Sequence, residues 1–240
     1  MIVNHKYKFI YLKTRKTAST SIEIALRGFC DKNDIITKIT SEDEATAQER
    51  GALGPQNYRI LNNEGGHKKF ENHSNALFVK NNLGGEKWES YFKFCFERDP
   101  FDKAVSRYYW DKENFKRTYE ERKKDCIEKN IDIPEYKPFR EINDYLSSVE
   151  EKFLSSWNIY TIDDQIAVDC IGRYESLPED LEKIRNELEL PEEINLPDAK
   201  SGYRPNNEHY SQILNRETRS RIECVCAREI QTFNYYWTDN

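Results

Sequence analysis

Hydrophobic and polar positions along this chain predict strands that pass through short turns into helices. Residues 7–12, YKFIYL, are apolar and β-prone, and the spacing of IEIAL predicts a helix over about 20–29. Residues 91–96, YFKFCF, form a second β-prone run. Pro100 ends this run, and apolar positions at helical spacing follow it. The chain therefore predicts a strand, a turn and a helix twice.

Further elements follow from the same patterns. Ser41, with Glu44 three residues later, has the pattern of a capping box at the start of a helix. A helix is predicted at 74–81, closed by a Gly-Gly pair. A third strand is predicted in QIAVDCIGRYE, with Gly172 at its end, followed by an amphipathic helix in PEDLEKIRNELEL. One long helix is expected over about 216–233.

Two strand-turn-helix units indicate an α/β fold, in which helices flank a central parallel sheet. The carboxyl ends of such strands form the ligand crevice. No Pro-, Gly- or Ser-rich linker divides the chain, so we expect a single domain over 1–240, with two smaller domains as the alternative. The polar stretch around 112–150 is either a variable substrate-side insertion or a solvated surface excursion.

The overall charge excludes some classes of partner. A formal net charge of -6 argues against a general binder of nucleic acid or of membrane surfaces, because either would need a predominantly basic face. No window approaches the ~20 apolar residues of a membrane span, and no signal peptide is seen, so we expect a cytoplasmic protein. The six cysteines are scattered and are expected to be thiols.

The turn after the first strand, KTRKTASTS at 13–21, concentrates basic, small and hydroxyl side chains. A helix start presents backbone N–H groups at the positive end of the helix dipole, and small residues let an anion approach them closely. Lys16 adds a mobile charge, so the turn favours a phosphate or sulfate site. An exposed basic turn with an ordinary Ser/Thr cap is the alternative. A Walker P-loop is absent, because no glycine precedes the lysine.

The turn resembles the 5′-phosphosulfate loop of the family 2, carbohydrate-type sulfotransferases, where a strand is followed by a Pro-Lys-Thr-Ala-Gly-Thr-Ser-like sequence. Arg15 takes the place of the proline and Ser19 that of the glycine. If that glycine needs a positive φ, Ser19 is strained. The residues that match the loop are Arg15, Lys16, Thr17, Ala18, Ser19, Thr20 and Ser21.

A second motif follows the strand at 91–96. Sulfotransferases carry there an Arg-Asx-Pro block, with a serine and a tyrosine further on, that binds the 3′-phosphate of the donor. RDPFDKAVSRYYW is similar to this block and supplies Arg98, Asp99, Pro100, Ser106 and Tyr108. Both motifs stand in the family's order, and the resemblance thins between about 112 and 160.

The resemblance implies a donor and a set of roles. The donor is 3′-phosphoadenosine 5′-phosphosulfate (PAPS), whose sulfuryl group passes to an acceptor hydroxyl, expected on a carbohydrate. Lys16 would stabilise the leaving phosphate, while Arg98 and Ser106 would hold the 3′-phosphate. Tyr203 and Arg204 match a loop that closes over the donor. No metal is implied, because lysine, arginine and helix N-termini supply the positive charge.

A general base must take the proton of the acceptor hydroxyl. His73 is the first choice, because NHSNALFVKNNLG resembles the family segment in which a histidine stands at a helix start. His67 is the second candidate, and Glu71 is a weaker one for an acidic base.

Two other classes of function are also compatible with the sequence. A nucleotide or small-molecule kinase would need ATP and Mg²⁺, and the missing Walker pattern argues against it. A non-catalytic protein could bind 3′-phosphoadenosine 5′-phosphate (PAP) through the same loops. The sequence leaves the acceptor's identity and the oligomeric state open.

Overall fold

The computed structural model describes residues 1–61, 67–197, 204 and 208–239. Two turns of 3₁₀ helix lie at Glu151–Phe153 and Tyr174–Ser176. In chain order, the other elements are β1 (Ile2–Asn4), β2 (Phe9–Tyr11), α1 (Ser19–Arg27), β3 (Ile35–Ile36), α2 (Ser41–Glu49), β4 (Arg59–Leu61), β5 (His67–Lys69), α3 (Ala76–Leu83), α4 (Gly85–Ser90), β6 (Phe92–Glu97), α5 (Pro100–Glu128), α6 (Ile142–Ser148), α7 (Trp157–Tyr160), β7 (Thr161–Ile162), β8 (Gln165–Ile166), β9 (Cys170–Arg173), α8 (Leu177–Glu187), α9 (Tyr210–Ile213), α10 (Arg216–Val225) and α11 (Ala227–Phe233).

The chain divides into two compact units, each with its own hydrophobic core. The sheet unit consists of Met1–Arg98 and Ser156–Lys200, and the helical unit consists of Asp99–Ser155 and Ser201–Asn240. The single domain over 1–240 and the insertion around 112–150 stay predictions.

The sheet unit contains a five-stranded sheet in the order β3-β1-β2-β6-β9. Strands β2, β6 and β9 run parallel, as the sequence predicted, and the α/β class is confirmed. The sheet as a whole is mixed rather than parallel, because β1 folds back on β2 as a hairpin and β3 pairs with β1, both antiparallel. The three parallel strands therefore end at one edge of the sheet.

The core of the sheet unit lies between the strands and two helices. Aromatic side chains of β2 and β6 pack with Leu26 of α1 and with Leu181 of α8. Gly172 of β9 is required by this packing, since a Cβ atom there would lie 2.4 Å from Cε1 of Phe96. The fully buried aromatic residues of this core are Phe9, Tyr11, Phe94 and Phe96.

The helical unit is built around the long helix α5. Asp99 caps its start by accepting a hydrogen bond from the Phe101 backbone N–H at 2.8 Å, and Pro100 occupies the first turn, where a missing N–H costs nothing. The buried residues of this unit include Phe101, Val105, Tyr108, Tyr145, Leu146, Leu154, Tyr210 and Ile222.

Two sequence expectations about helices are wrong in detail. Thr40, not Ser41, caps α2, because the Thr40 side chain accepts from the Asp43 backbone N–H at 3.3 Å. Glu44 binds Arg27 instead of closing a capping box. The expected helix over 216–233 is two helices, since Cys226 leaves helical geometry between α10 and α11.

Within the described ranges, no helix combines the length and the apolar character needed to cross a bilayer. All six cysteines lie in these ranges and are thiols.

Candidate active site

The turn between β2 and α1 is fixed to the neighbouring strand β6. The Leu12 backbone N–H donates to the Phe94 carbonyl at 2.9 Å, and the Thr14 hydroxyl donates to the Phe96 carbonyl at 2.5 Å. Thr14 has only one hydroxyl hydrogen, so the Thr17 hydroxyl, 2.9 Å away, is the donor between the two threonines. The loop is thereby held at the carboxyl edge of the parallel strands.

The backbone of this loop is left-handed at two residues that are not glycine. Lys16 has φ 61° and Ala18 has φ 54°, while Thr17 between them has no positive φ. Loops that alternate left-handed and right-handed residues can turn successive N–H groups toward one side, where they bind anions. The strain expected at Ser19 is not present, because Ser19 is the first residue of α1. The backbone strain lies instead at Lys16 and Ala18, where φ is positive.

The loop side chains differ in exposure. Thr17, Ser19 and Ser21 are buried, and Thr17 is completely inaccessible to solvent. The half-buried residues are Arg15, Lys16, Ala18 and Thr20. Within residues 15–21, the two basic side chains are thus partly open to solvent, whereas three of the four hydroxyl side chains are buried.

Arg98 joins the second motif to the first. Its guanidinium donates to the Lys16 carbonyl at 2.9 Å and lies over the ring of Tyr174, 3.9 Å from the ring centroid. Arg98 follows β6, and Tyr174 follows β9, so the ends of all three parallel strands meet here. The two turns that resemble donor-binding motifs are therefore in direct contact.

His73 lies against the same loop. Its Nδ1 is 2.7 Å from the Lys13 carbonyl oxygen. A carbonyl oxygen only accepts, so Nδ1 carries the hydrogen of the neutral ring and Nε2 keeps its lone pair. Burial lowers the pKa of His73 to about 3; the hydrogen bond to Lys13 opposes this shift, and the positive charges of Arg15 and Lys13 reinforce it. The ring is therefore neutral near pH 7.

A buried ionic network anchors the entrance of the loop. The Glu23 carboxylate, fully buried on α1, lies 2.8 Å from Nζ of Lys13 and 2.8 Å from Nη2 of Arg27. Arg27 also binds Glu44 at 2.7 Å. Burial alone would raise the pKa of Glu23, but the Lys13 ammonium, the N-terminal ammonium and the Arg27 guanidinium outweigh it and hold that pKa well below its usual range.

Two further candidate residues belong to the helical unit. Ser106 stands in the second turn of α5, within the helical unit. Arg204, also in that unit, binds the Asp102 carboxylate at 2.7 Å and donates to the Glu208 carbonyl. Tyr203 lies outside the described residues.

The two alternative base candidates are near the start of α3. His67 belongs to strand β5. Glu71 is largely exposed and forms an ion pair with Lys69 at 3.0 Å.

Sequence reasoning missed three residues that shape the loop. Glu23 and its ion-pair partner Lys13 anchor the start of the loop. A lysine at the start of the turn could have indicated an acidic partner nearby. Ser156, whose Oγ accepts from the Arg15 backbone N–H at 3.3 Å, comes from a distant segment and carries no motif.

The fold and this site are those of an α/β protein in which a basic loop and an arginine meet at the carboxyl ends of parallel strands, a usual place for an anionic ligand. The chain belongs to the sulfotransferase family, because that family's model matches residues 1–236, and this confirms the family resemblance seen in the two motifs. An uncharacterized protein of Archaeoglobus fulgidus is 31% identical over 126 residues, which cover 50% of this chain and 87% of that protein. No solved structure matches the chain with significant similarity.

Proposed function

We propose that the chain transfers a sulfuryl group from PAPS to an acceptor hydroxyl, on a carbohydrate or a similar small molecule. The observation that carries this proposal is the 2.9 Å hydrogen bond from Arg98 to the Lys16 carbonyl. It brings together the two turns that the family uses for the two phosphate groups of the donor.

The residues present fit such a donor. The left-handed backbone at Lys16 and Ala18 is compatible with N–H groups that face an anion, and the half-buried cationic side chains of Arg15 and Lys16 belong to the same loop. These N–H groups and the Thr20 hydroxyl would hold the 5′-phosphate. Arg98 would hold the 3′-phosphate, because a guanidinium offers paired donors to phosphate oxygens. Ser106 and Arg204 are proposed as further donor contacts on the family resemblance alone.

Each reacting group then has a proposed partner in the chain. When bound, PAPS supplies the sulfuryl group: the acceptor oxygen bonds to sulfur, the bond between sulfur and the 5′-phosphate oxygen breaks, and PAP leaves with that electron pair. Lys16 stabilises the negative charge that appears on the phosphate. Nε2 of His73 takes the proton of the acceptor hydroxyl, because Nδ1 is committed to the Lys13 carbonyl.

Calorimetry with PAP, followed by transfer from [³⁵S]PAPS to saccharides, phenols and amines, tests this function. The wild-type protein should bind PAP and label at least one acceptor. Lys16→Ala should abolish transfer, while the matched control Lys32→Ala, which removes an exposed lysine of the same unit, should not.

Each contrary result has a separate meaning. PAP binding without any sulfated product would indicate a non-catalytic binding protein. Phosphoryl transfer from ATP with Mg²⁺, without PAP binding, would indicate a kinase. Either result would contradict sulfuryl transfer by this chain.

A further inference from the structure

An open surface cavity of about 340 Å³ lies in the sheet unit, within the size range of small-molecule sites. Its described walls come from the start of α3, from α7 and from the β7–β8 hairpin. The lining residues that bear on ligand chemistry are Asn75, Leu77, Asn158, Thr161, Asp163 and Asp164.

Two walls of the cavity each lie two residues along the chain from a contact with the loop between β2 and α1. His73, which contacts the Lys13 carbonyl at 2.7 Å, is two residues from Asn75. Ser156, whose Oγ accepts from the Arg15 backbone N–H at 3.3 Å, is two residues from Asn158. Two residues of chain span at most about 7 Å. Two of the segments that line the cavity are therefore held close to the loop, one of them next to His73.

The charge of the cavity is opposite to that of the loop. Among the described residues that line it, Asp163 and Asp164 are charged and none is basic. Both aspartates are exposed at the tip of the hairpin, where each has a positive φ. An acidic wall attracts a cationic group and repels an anionic one across distances of several ångströms. Asn158 adds amide groups that can bind hydroxyls, and the exposed side chain of Leu77 adds apolar surface.

We propose that this cavity is the acceptor subsite and that it selects a small hydroxylated molecule bearing an ammonium group. The ammonium group lies against Asp163 and Asp164, and the hydroxyl that receives the sulfuryl group points toward His73. Polyanionic saccharides are excluded by the same two carboxylates. This inference rests on the proposed sulfuryl transfer and narrows its acceptor to amino sugars and chemically similar amino alcohols.

Ligand-observed NMR titrations of the full chain, with and without saturating PAP, test the charge preference. The probes are 2-amino-2-deoxyglucose, glucose and glucuronate, which share a ring and differ in charge. We expect the amino sugar to bind about five- to tenfold more tightly than glucuronate. Two solvated carboxylates attract the ammonium group and repel the carboxylate of glucuronate by about this much. Asp163→Asn combined with Asp164→Asn should abolish this preference.

A matched control keeps the charge change but moves it away from the cavity. Glu192→Gln combined with Glu193→Gln removes two exposed carboxylates of the same unit and should leave the preference intact. Equal affinity for the amino sugar and glucuronate, no binding of either, or an unchanged preference in the double Asn variant would overturn the inference.

The same samples separate this inference from the proposed function. A wild-type protein that fails to bind PAP contradicts the donor proposal and, with it, the assignment of the cavity as an acceptor subsite. Tight PAP binding without any preference among the three probes contradicts the acceptor inference alone.

Discussion

The imidazole of His73 is held by the carbonyl oxygen of Lys13, 2.7 Å from Nδ1. Lys13 is also the residue whose ammonium group binds the buried Glu23 at 2.8 Å. The side chain and the backbone of one residue thus connect the proposed base to α1. This arrangement sets the tautomer of the ring and ties its position to the loop that would carry the donor.

His73→Asn should lower kcat by about 10²–10⁴-fold, because that is the usual contribution of a general base. The affinity for PAP, measured by calorimetry, should stay the same, since Asn can still donate to the Lys13 carbonyl. His5→Asn is the control, because His5 is also a partly buried histidine of the sheet unit, bonded to Tyr91. Unchanged turnover in the His73 variant would remove this residue from the mechanism.

The low pKa of His73 also predicts how stability depends on pH. Burial lowers this pKa from 6.5 in the unfolded chain to about 3 in the folded chain, so between these values the unfolded state binds the proton more readily. This contribution to stability is complete above pH 6.5 and is lost as the pH falls toward 3. Urea unfolding at pH 7, 5 and 4 should show a larger loss in the wild type than in His73→Asn. Parallel losses in the two proteins would argue against a buried neutral ring.

Arg98→Ala should weaken PAP binding by about 1.5–3 kcal/mol, the range for hydrogen bonds that involve charged groups. Arg98→Lys should recover only part of this loss, because an ammonium group lacks the planar pair of donors. Arg59→Ala is a matched control, since Arg59 also lies over a tyrosine ring, that of Tyr58, but is exposed. Calorimetry that gives the same affinity for Arg98→Ala and Arg59→Ala would contradict a phosphate contact.

Glu23→Gln should lower the free energy of unfolding by about 3–5 kcal/mol, because it leaves buried Lys13 and Arg27 without their shared carboxylate. Adding Lys13→Met should restore part of the loss, since the buried charge that lacks a partner is then removed. Urea unfolding of the two single variants and the double variant gives the coupling. Additive effects would mean that Lys13 and Glu23 do not interact as the structure indicates.

Gly172→Ala should destabilise the chain by about 1–3 kcal/mol, the usual cost of overpacking a core. The added methyl group would lie 2.4 Å from the Phe96 ring, which packs in the core beneath the site. Phe96→Leu in the same chain should reduce this cost. Gly54→Ala is the control, because nothing lies within 4 Å of a Cβ atom at that position. Equal thermal midpoints for the two alanine variants would contradict the close contact.

The sequence predicted the parts of the fold that depend on local patterns. Strands β2, β6 and β9 come from β-prone runs bounded by turn residues, and α1 and α8 from apolar positions at helical spacing. Strand β1 was not predicted, because its three residues are too few to show an alternation of apolar and polar positions. The break at Cys226 was missed for a similar reason, since no proline or glycine marks it.

The candidate site was predictable only where residue order itself carries chemistry. The segments 15–21 and 98–100 were found because their order is similar to a family motif. Tertiary structure determines the contact of Ser156 with Arg15 and the left-handed backbone at Lys16. Neither feature can be predicted from the neighbouring residues in the sequence. The acidic cavity at Asp163 was missed because Asp-Asp in a polar stretch is indistinguishable from an ordinary turn.

The hairpin of β1 and β2 has a consequence for the order of folding. It pairs Ile2 with Tyr11, whereas β2 meets β6 through the pairing of Phe9 with Phe92. Closing the short loop costs less chain entropy than closing the long one, so we expect the hairpin to form first. Pulse-labelled hydrogen exchange should then protect the amide of Tyr11, which faces β1, before that of Phe94.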